Sequence, residues 1–193
     1  MKRMKFETGD GLWFTSDHHF GHDKIIEPDY ADRPFSSVEE MDDEMIRRWN
    51  TVVAPGDVVM YLGDFAVKSH KKRIAALLEQ LHGHKHLIIG NHDHTDTRKA
   101  KGWASVEAYR EITVGDLPII LSHYPFLTWN ASHHGSWMLH GHCHGNLKTT
   151  HTARRCDIGV DAWDFAPVSL PELHEYMAMV RFVPVDHHDE RGR

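Results

Sequence analysis

The sequence predicts an α/β protein built from two packed, mixed β-sheets with helices outside. Three observations point there. Five short apolar runs read as buried strands: Leu12–Ser16, Val58–Gly63, Leu87–Gly90, Ile119–Ser122 and Trp137–Leu139. Amphipathic helical segments alternate with these runs through the first half, which implies right-handed crossovers and a parallel core. The second half is strand-rich, with further strands expected at about 106–114, 118–122, 137–140, 156–161 and 179–185. The pattern alone admits α/β or α+β, and two packed mixed sheets accommodate both halves.

Three helices stand out along the chain. The first opens at Ser36-Ser37-Val38-Glu39, read as a capping box, and Val38, Met41, Met45 and Trp49 fall on one face. The second runs roughly from Ser69 to His82, with Ile74, Leu77, Leu78 and Leu81 apolar and Gly83 as a stop. The third opens at Ser169-Leu170-Pro171-Glu172 and carries Leu173, Tyr176 and Met177. There is no internal repeat, low-complexity tract or linker. A single domain over 1–185 is expected, with 186–193 as a polar tail.

The bulk numbers narrow the function. At 193 residues, 40% hydrophobic and 26% charged, the chain fits one globular domain with a full core. No apolar stretch is long enough to span a bilayer. The start, Met1-Lys2-Arg3-Met4, is basic but lacks an apolar signal-peptide core. Two cysteines, Cys143 and Cys156, are too few for a disulfide framework, so a reducing cytoplasmic setting is expected. The net charge of −6 gives no support for non-specific nucleic-acid binding. Histidine is the compositional outlier, at 19 residues. Most are read as surface residues. His82, His84 and His86 flank a turn with no evident partner, and His187-His188 lie in the tail.

The residues directly after each apolar run are the informative feature. These successors are Asp17-His18-His19, Asp64, Asn91-His92-Asp93, His123 and His140-Gly141-His142-Cys143-His144. Ligands gather beyond the carboxyl ends of strands in layered α/β folds, so five such ends suggest one polar site made from five loops. Asp17 and His19 are two apart; in extended backbone both would face the same way, with His18 turned aside. Gly63 before Asp64, Gly90 before Asn91 and Gly141 before His142 let the backbone approach a metal closely. The candidate ligands are Asp17, His19, Asp64, Asn91, His123, His142 and His144. These N and O donors suit Mn, Fe, Zn, Co or Ni. Seven are too many for one tetrahedral ion and fit two ions sharing a carboxylate.

The ordered set Asp-x-His, Gly-Asp, Gly-Asn-His-Asp, Ser-His and Gly-His-x-His resembles the calcineurin-like metallophosphoesterase superfamily. Thr15–His22, Arg33-Pro34-Phe35, Ser37–Asp42 and Ile158-Gly159-Val160-Asp161 resemble a small bacterial and phage branch of it. That resemblance implies a β-sandwich fold and two divalent transition-metal ions, with manganese the expected ion in vitro. It places Asp17, His19, Asp64 and His144 at one site, and Asp64, Asn91, His123 and His142 at the other. It implies hydrolysis of a phosphodiester by attack of a metal-bridging hydroxide. His92 would meet the substrate as a transition-state donor or general acid. Asp93 would hydrogen-bond His92 and raise its pKa, with plain turn capping as the alternative. A phosphomonoesterase acting on small phosphorylated metabolites is the second reading, and a non-catalytic metal-binding scaffold the third. The expected partner is a phosphate-ester substrate, a nucleotide among the candidates. The substrate, the native metal and the oligomeric state stay open.

Several residues carry two readings. His22 is a substrate contact, a partner of Asp17, or a surface histidine. Arg33 is a phosphate clamp or a solvated loop arginine. Tyr124 lines the pocket or packs. Asp161 orients a ligand histidine or caps a turn. Cys143 should point away from the metals. Lys68, His70, Lys71, Lys72 and Arg73 are read as a solvated helix start rather than a nucleic-acid contact. The resembled segment sometimes begins with Asn where this chain has Asp157.

Overall fold

The computed structural model describes residues 4–147 and 153–183. The strands are β1 (Met4–Phe6), β2 (Leu12–Thr15), β3 (Val58–Tyr61), β4 (His84–Ile88), β5 (Trp103–Glu107), β6 (Arg110–Val114), β7 (Leu117–Leu121), β8 (Trp137–His140), β9 (Arg155–Asp157) and β10 (Val168–Ser169). The helices are α1 (Val38–Val52), α2 (Lys71–Gln80), α3 (Thr95–Arg98) and α4 (Leu170–Met179). One sheet has the order β10-β2-β3-β4-β5 and the other β1-β6-β7-β8-β9. β2 through β5 pair in parallel, and β10 joins β2 antiparallel. In the second sheet β7, β8 and β9 are parallel, while β6 is antiparallel to β7 and parallel to β1. The predicted sandwich of two mixed sheets is therefore the fold. No described helix is long and apolar enough to cross a membrane.

Strand alternation divides the core. Leu12, Phe14, Met60, Leu62 and Ile88 from one sheet meet Ile112, Ile119, Leu121, Trp137 and Leu139 from the other. The intervening residues, Val59, Tyr61 and Leu87, face outward onto Met41, Met45 and Trp49 of α1 and Ile74, Leu77 and Leu78 of α2. Period-2 strands and period-3.6 helices thus meet on one face, as the sequence pattern requires. Both parallel stretches end on the same edge of the sandwich, where the polar loops collect.

The helix boundaries shift slightly from the sequence reading. The cap of α1 sits one residue later than expected: Ser37 Oγ accepts from Glu40 N–H, and Glu40 reaches back to Ser36 N–H. His70, not Ser69, caps α2 through Nδ1 and Arg73 N–H. Ser169 and Glu172 form the expected capping box on α4.

Three strand expectations need correction. The run 106–114 is two strands, β5 and β6, one in each sheet. The run 156–161 pairs only through Asp157; a bridge at Gly159 and a single 3-10 turn at Val160–Ala162 come after it. No strand lies at 179–183, because α4 runs to Met179 with Leu173 and Met177 in the core; 184–185 lie outside the described residues. So do His187, His188 and the 186–193 tail. His82 and His86 do have partners, the Val53 carbonyl and Ser105 Oγ.

Trp49 anchors α1 to the first sheet. It is fully buried, donates its indole N–H to the His82 carbonyl at 3.1 Å, and stacks near Tyr61. Trp49→Ala should cost about 3–5 kcal/mol, read as a lower urea midpoint at unchanged slope. A loss under about 1 kcal/mol would show that the α1 layer is not packed this way.

Candidate metal centre

The seven predicted ligands come together at the carboxyl edge of both sheets. Asp17, His19 and His144 place ligand atoms within 4.8 Å of one another, as do Asp64, His123 and His142. Asn91 joins the second group, its Oδ1 lying 2.9 Å from His123 Nε2. Asp64 lies between the groups: its Oδ2 is 3.5 Å from His19 Nε2 and 3.5 Å from His123 Nε2.

Unusual backbone builds this arrangement. Asp17, His19, Asp64, His142 and His144 all have positive φ, between 49° and 70°. Non-glycine residues rarely hold this conformation, and such outliers gather where the surroundings over-determine them. It corrects the sequence expectation for Asp17 and His19. They do converge and His18 does turn aside, but through left-handed kinks and not through an extended strand. The loops are sewn together by Asp17 N–H to Gly63 O at 2.9 Å and His19 N–H to Asp64 O at 3.1 Å. Two glycines are required by contact. A Cβ on Gly63 (φ +97°) would sit 2.6 Å from His123 Nδ1, and one on Gly141 would sit 2.4 Å from Asp17 Oδ2.

The donor set fits metal ions by its satisfaction pattern. Asp17 Oδ1 and both ring nitrogens of His19 are buried with no hydrogen-bond partner. Orphaned buried polar atoms are costly, and a cation would satisfy Asp17 Oδ1 and the one His19 nitrogen that carries a lone pair. The remaining atoms are held by partners that aim them. Asp17 Oδ2 accepts from Ser16 Oγ and His142 N–H; His123 Nδ1 lies 2.8 Å from the Leu62 carbonyl. His144 Nδ1 lies 2.6 Å from Asp161 Oδ2, leaving Nε2 for a metal. Asp161 thus takes the orienting reading.

Arg33 departs from its expected role. It is 2% exposed and forks onto Asp161 through Nε and Nη2 at 2.8 Å each. The same guanidinium donates to the Asp17 and His18 carbonyls at 2.6 and 2.7 Å. Its donors are spent on the protein, so it braces two ligand loops and is no free phosphate clamp. Asp93 also departs. Its hydrogen bonds go to the backbone N–H groups of Gly90, Asp64 and Phe65, and none to His92. Turn capping is what the geometry gives. His22 does lie beside the site, its ring centroid 5.5 Å from that of His19 and 6.5 Å from that of His92. Tyr124 packs on His142 at 4.7 Å and flanks the mouth. Cys143 turns away, as expected, but toward His140 and Asp157. Asp157 was missed as a site-shaping residue; its carboxylate accepts from Gly145 N–H and Gly159 N–H. The basic run behaves as a helix start, with Arg73 on Asp42 and Lys68 on Asp23.

Burial sets the titration of the metal-free site. It lifts the Asp17 carboxyl to about 8, a rise only partly offset by His144 and the Ser16 hydroxyl. Burial also holds His19 well below the ordinary imidazole value, which keeps it neutral and ready to ligate. His18 is pushed to about 3 by burial and then by Arg33. For His144 burial acts downward, but Asp161 and Asp17 outweigh it and the net shift is upward. For Asp161 burial acts upward, but His144 and Arg33 outweigh it and hold the carboxyl at about 2.

These shifts give a pH dependence with a definite sign. Between 3.8 and about 8 the folded metal-free chain keeps a proton on Asp17 that the unfolded chain releases. Stability must therefore fall as pH rises through that window, by at most about 1.4 kcal/mol per pH unit. The lowered histidines, His18, His19, His22, His86, His140 and His142, act in the opposite sense around and below 6.5, where the unfolded chain binds their protons. The Asp17 contribution is therefore read as a difference from Asp17→Asn, which lacks it and keeps the histidines. In chelator-treated protein the Tm of wild type relative to Asp17→Asn should fall as pH rises from 6.5 to 8. A difference that stays flat or rises over that range would contradict the burial of Asp17.

The comparisons with known proteins agree with this geometry. The calcineurin-like phosphoesterase profile matches residues 12–171. The chain is 34% identical over 165 residues to an uncharacterized protein of Methanocaldococcus jannaschii, covering 82% of this chain and 86% of that one. It is 31% identical over 212 residues to the gene 66 protein of Mycobacterium phage L5, covering 93% and 97%. The crystal structure of a protein of unknown function from Aquifex aeolicus shares the fold, with a TM-score of 0.70 at 24% identity over 86% of this chain and 98% of that one. With the profile spanning every strand end that carries a candidate ligand, the chain belongs to the calcineurin-like phosphoesterase family.

Proposed function

We propose that this phosphoesterase is a dinuclear metal-dependent phosphodiesterase. One observation carries the proposal: a single carboxylate oxygen, Asp64 Oδ2, stands 3.5 Å from an imidazole Nε2 of each ligand group. Asp17, His19, Asp64 and His144 would hold one ion, and Asp64, Asn91, His123 and His142 the other. Bound divalent ions would supply a clamp on the phosphoryl oxygens and lower the pKa of a coordinated water to roughly 7. The chain does the rest. His92 N–H donates to Asp64 Oδ1 at 2.7 Å and so orients the shared carboxylate. The His92 ring is half-buried at the mouth, 5.1 Å from the His19 ring, where it can donate a proton to a departing oxygen. Arg33 and Asp161 hold His144 in place without touching substrate.

Burial of Arg33 supports a diester over a monoester. A dianionic monoester is favoured by a cationic clamp beyond the metals, and a diester carries one charge fewer. Arg33, the clamp candidate offered by the sequence, is committed to Asp161. Arg98 is partly committed too, with Nε donated to the Asp93 carbonyl at 2.5 Å. Mn²⁺- or Ni²⁺-loaded protein should therefore show higher kcat/KM on an aryl phosphodiester than on the matching monoester. A tenfold preference for the monoester would replace this reading with a phosphomonoesterase.

A second role for His92 has its own observation. A ring nitrogen of His92 also clusters with His19 and Asp64 within ligand distance. The two roles separate on metal content. As a proton donor, His92→Ala should keep about two ions per chain while kcat falls roughly 10²–10⁴-fold, least for good leaving groups. Metal content that collapses with activity would make His92 a ligand.

The brace is tested through metal affinity. Groups that orient metal-bound histidines typically contribute 10–100-fold in affinity. Arg33→Met should weaken metal binding by about that factor. KM at saturating metal should change little. A large rise in KM with unchanged metal affinity would return Arg33 to the substrate.

A further inference from the structure

The outer face of the second sheet carries another set of metal-type donors. β8 and β9 pair in register, with His140 opposite Asp157 at their carboxyl ends. Paired residues on adjacent strands project to the same side. Leu139 and Cys156 point into the inter-sheet core, so His140 and Asp157 point out of it. Cys143, three residues on, turns back toward them. One ring nitrogen of His140, the Cys143 sulfur and an Asp157 oxygen all lie within 4.8 Å of one another. None of the three belongs to the two groups around Asp64.

We propose that His140, Cys143 and Asp157 form a separate cation site of zinc type. His140 is 2% exposed, and its Nδ1 lies 2.9 Å from the Gly141 carbonyl. An Nδ1–H donated there leaves Nε2 with its lone pair, the tautomer that metal-bound histidines use. That Nε2 has no hydrogen-bond partner among the described residues. The Asp157 carboxylate is positioned by Gly145 and Gly159 N–H groups at 2.9 Å each, and keeps lone pairs for a cation. His140 and Asp157 open onto a cavity of about 620 Å³, shared with Arg155, Trp163, Glu175 and Tyr176. Arg155 turns Nη1 onto the Phe126 carbonyl at 2.6 Å. Three protein ligands with a fourth position facing a cavity match the open form of zinc coordination. The thiolate is the discriminating donor. It favours Zn²⁺ or Co²⁺ over Mn²⁺ or Mg²⁺, whereas the Asp64 centre has only N and O donors. On binding, the Cys143 S–H bond breaks, the proton passes to buffer and a metal–sulfur bond forms.

The two centres lie back to back on one loop. His142 and His144 face the Asp64 side, and Cys143 between them faces the other. An ion on Cys143 would therefore stiffen the segment that presents two of the ligands.

The test uses full-length protein, stripped of metal under reducing conditions and titrated with Co²⁺ and then Zn²⁺. Wild type should develop a thiolate-to-cobalt charge-transfer band, and zinc should displace it. Cys143→Ala should lose the band and bind one zinc fewer per chain. Cys156→Ala, at a core cysteine 1% exposed, should keep both. His140→Gln and Asp157→Asn should weaken cobalt binding as judged by the same band, with folding checked by circular dichroism. The band can arise only at a thiolate, so its presence or absence is independent of how many ions the Asp64 centre takes. A wild-type protein without the band overturns the proposal. So does a band that His140→Gln and Asp157→Asn both leave unchanged, which would mark an adventitious thiol contact.

Discussion

The Asp64 carboxylate is buried on a left-handed turn, and the arrangement around it depends on holding it there. Its two oxygens are divided between tasks. Oδ1 accepts the His92 N–H, and Oδ2 faces an imidazole from a loop of each sheet. The loop that carries it is fixed from three directions: by Asp93, by the backbone after β2, and by the imidazole of His123 below it. A buried carboxylate is expensive without a cation. The folded scaffold thus stores an electrostatic demand that metal ions would answer.

Strain and bracing go together in this site. Five of the candidate ligands take positive φ, a conformation that costs on the order of 1–3 kcal/mol per residue where other contacts do not offset it. The offset comes from residues that never reach the mouth. Arg33 ties Asp161 to the carbonyls of Asp17 and His18, and Asp161 in turn holds His144. One guanidinium therefore spans the loop after β2 and the late segment near β9. Glycines at 63 and 141 let the loops approach to distances a side chain would forbid.

Much of this was legible in the sequence, for reasons that particular residues make plain. The strand ends were visible because buried parallel strands are short apolar runs, and the ligands were visible because they come immediately after those runs. Order and spacing over five motifs sufficed to name the family. The role of Arg33 was not legible, and Asp93 left catalysis and turn capping both open. Both sit in motif positions where a catalytic role reads naturally, and only burial and hydrogen-bond partners show them as braces. The 106–114 run misled because the chain changes sheets in its middle, at Glu107–Arg110, without a turn signal there. The expected strand at 179–185 is not formed over its described part, 179–183, where α4 runs on to Met179. The His140–Cys143–Asp157 cluster had no sequence signature at all, since the pairing of β8 with β9 is what brings Asp157 beside His140.

The central claim is a pair of ions joined by Asp64, and its most direct measurement is electron paramagnetic resonance of protein loaded with two equivalents of Mn²⁺. Ions about 3.5–4 Å apart and sharing a carboxylate should give an exchange-coupled spectrum. Asp64→Asn should abolish the coupling. A spectrum of magnetically isolated Mn²⁺ in the wild type, unchanged on adding the second equivalent, would contradict the account.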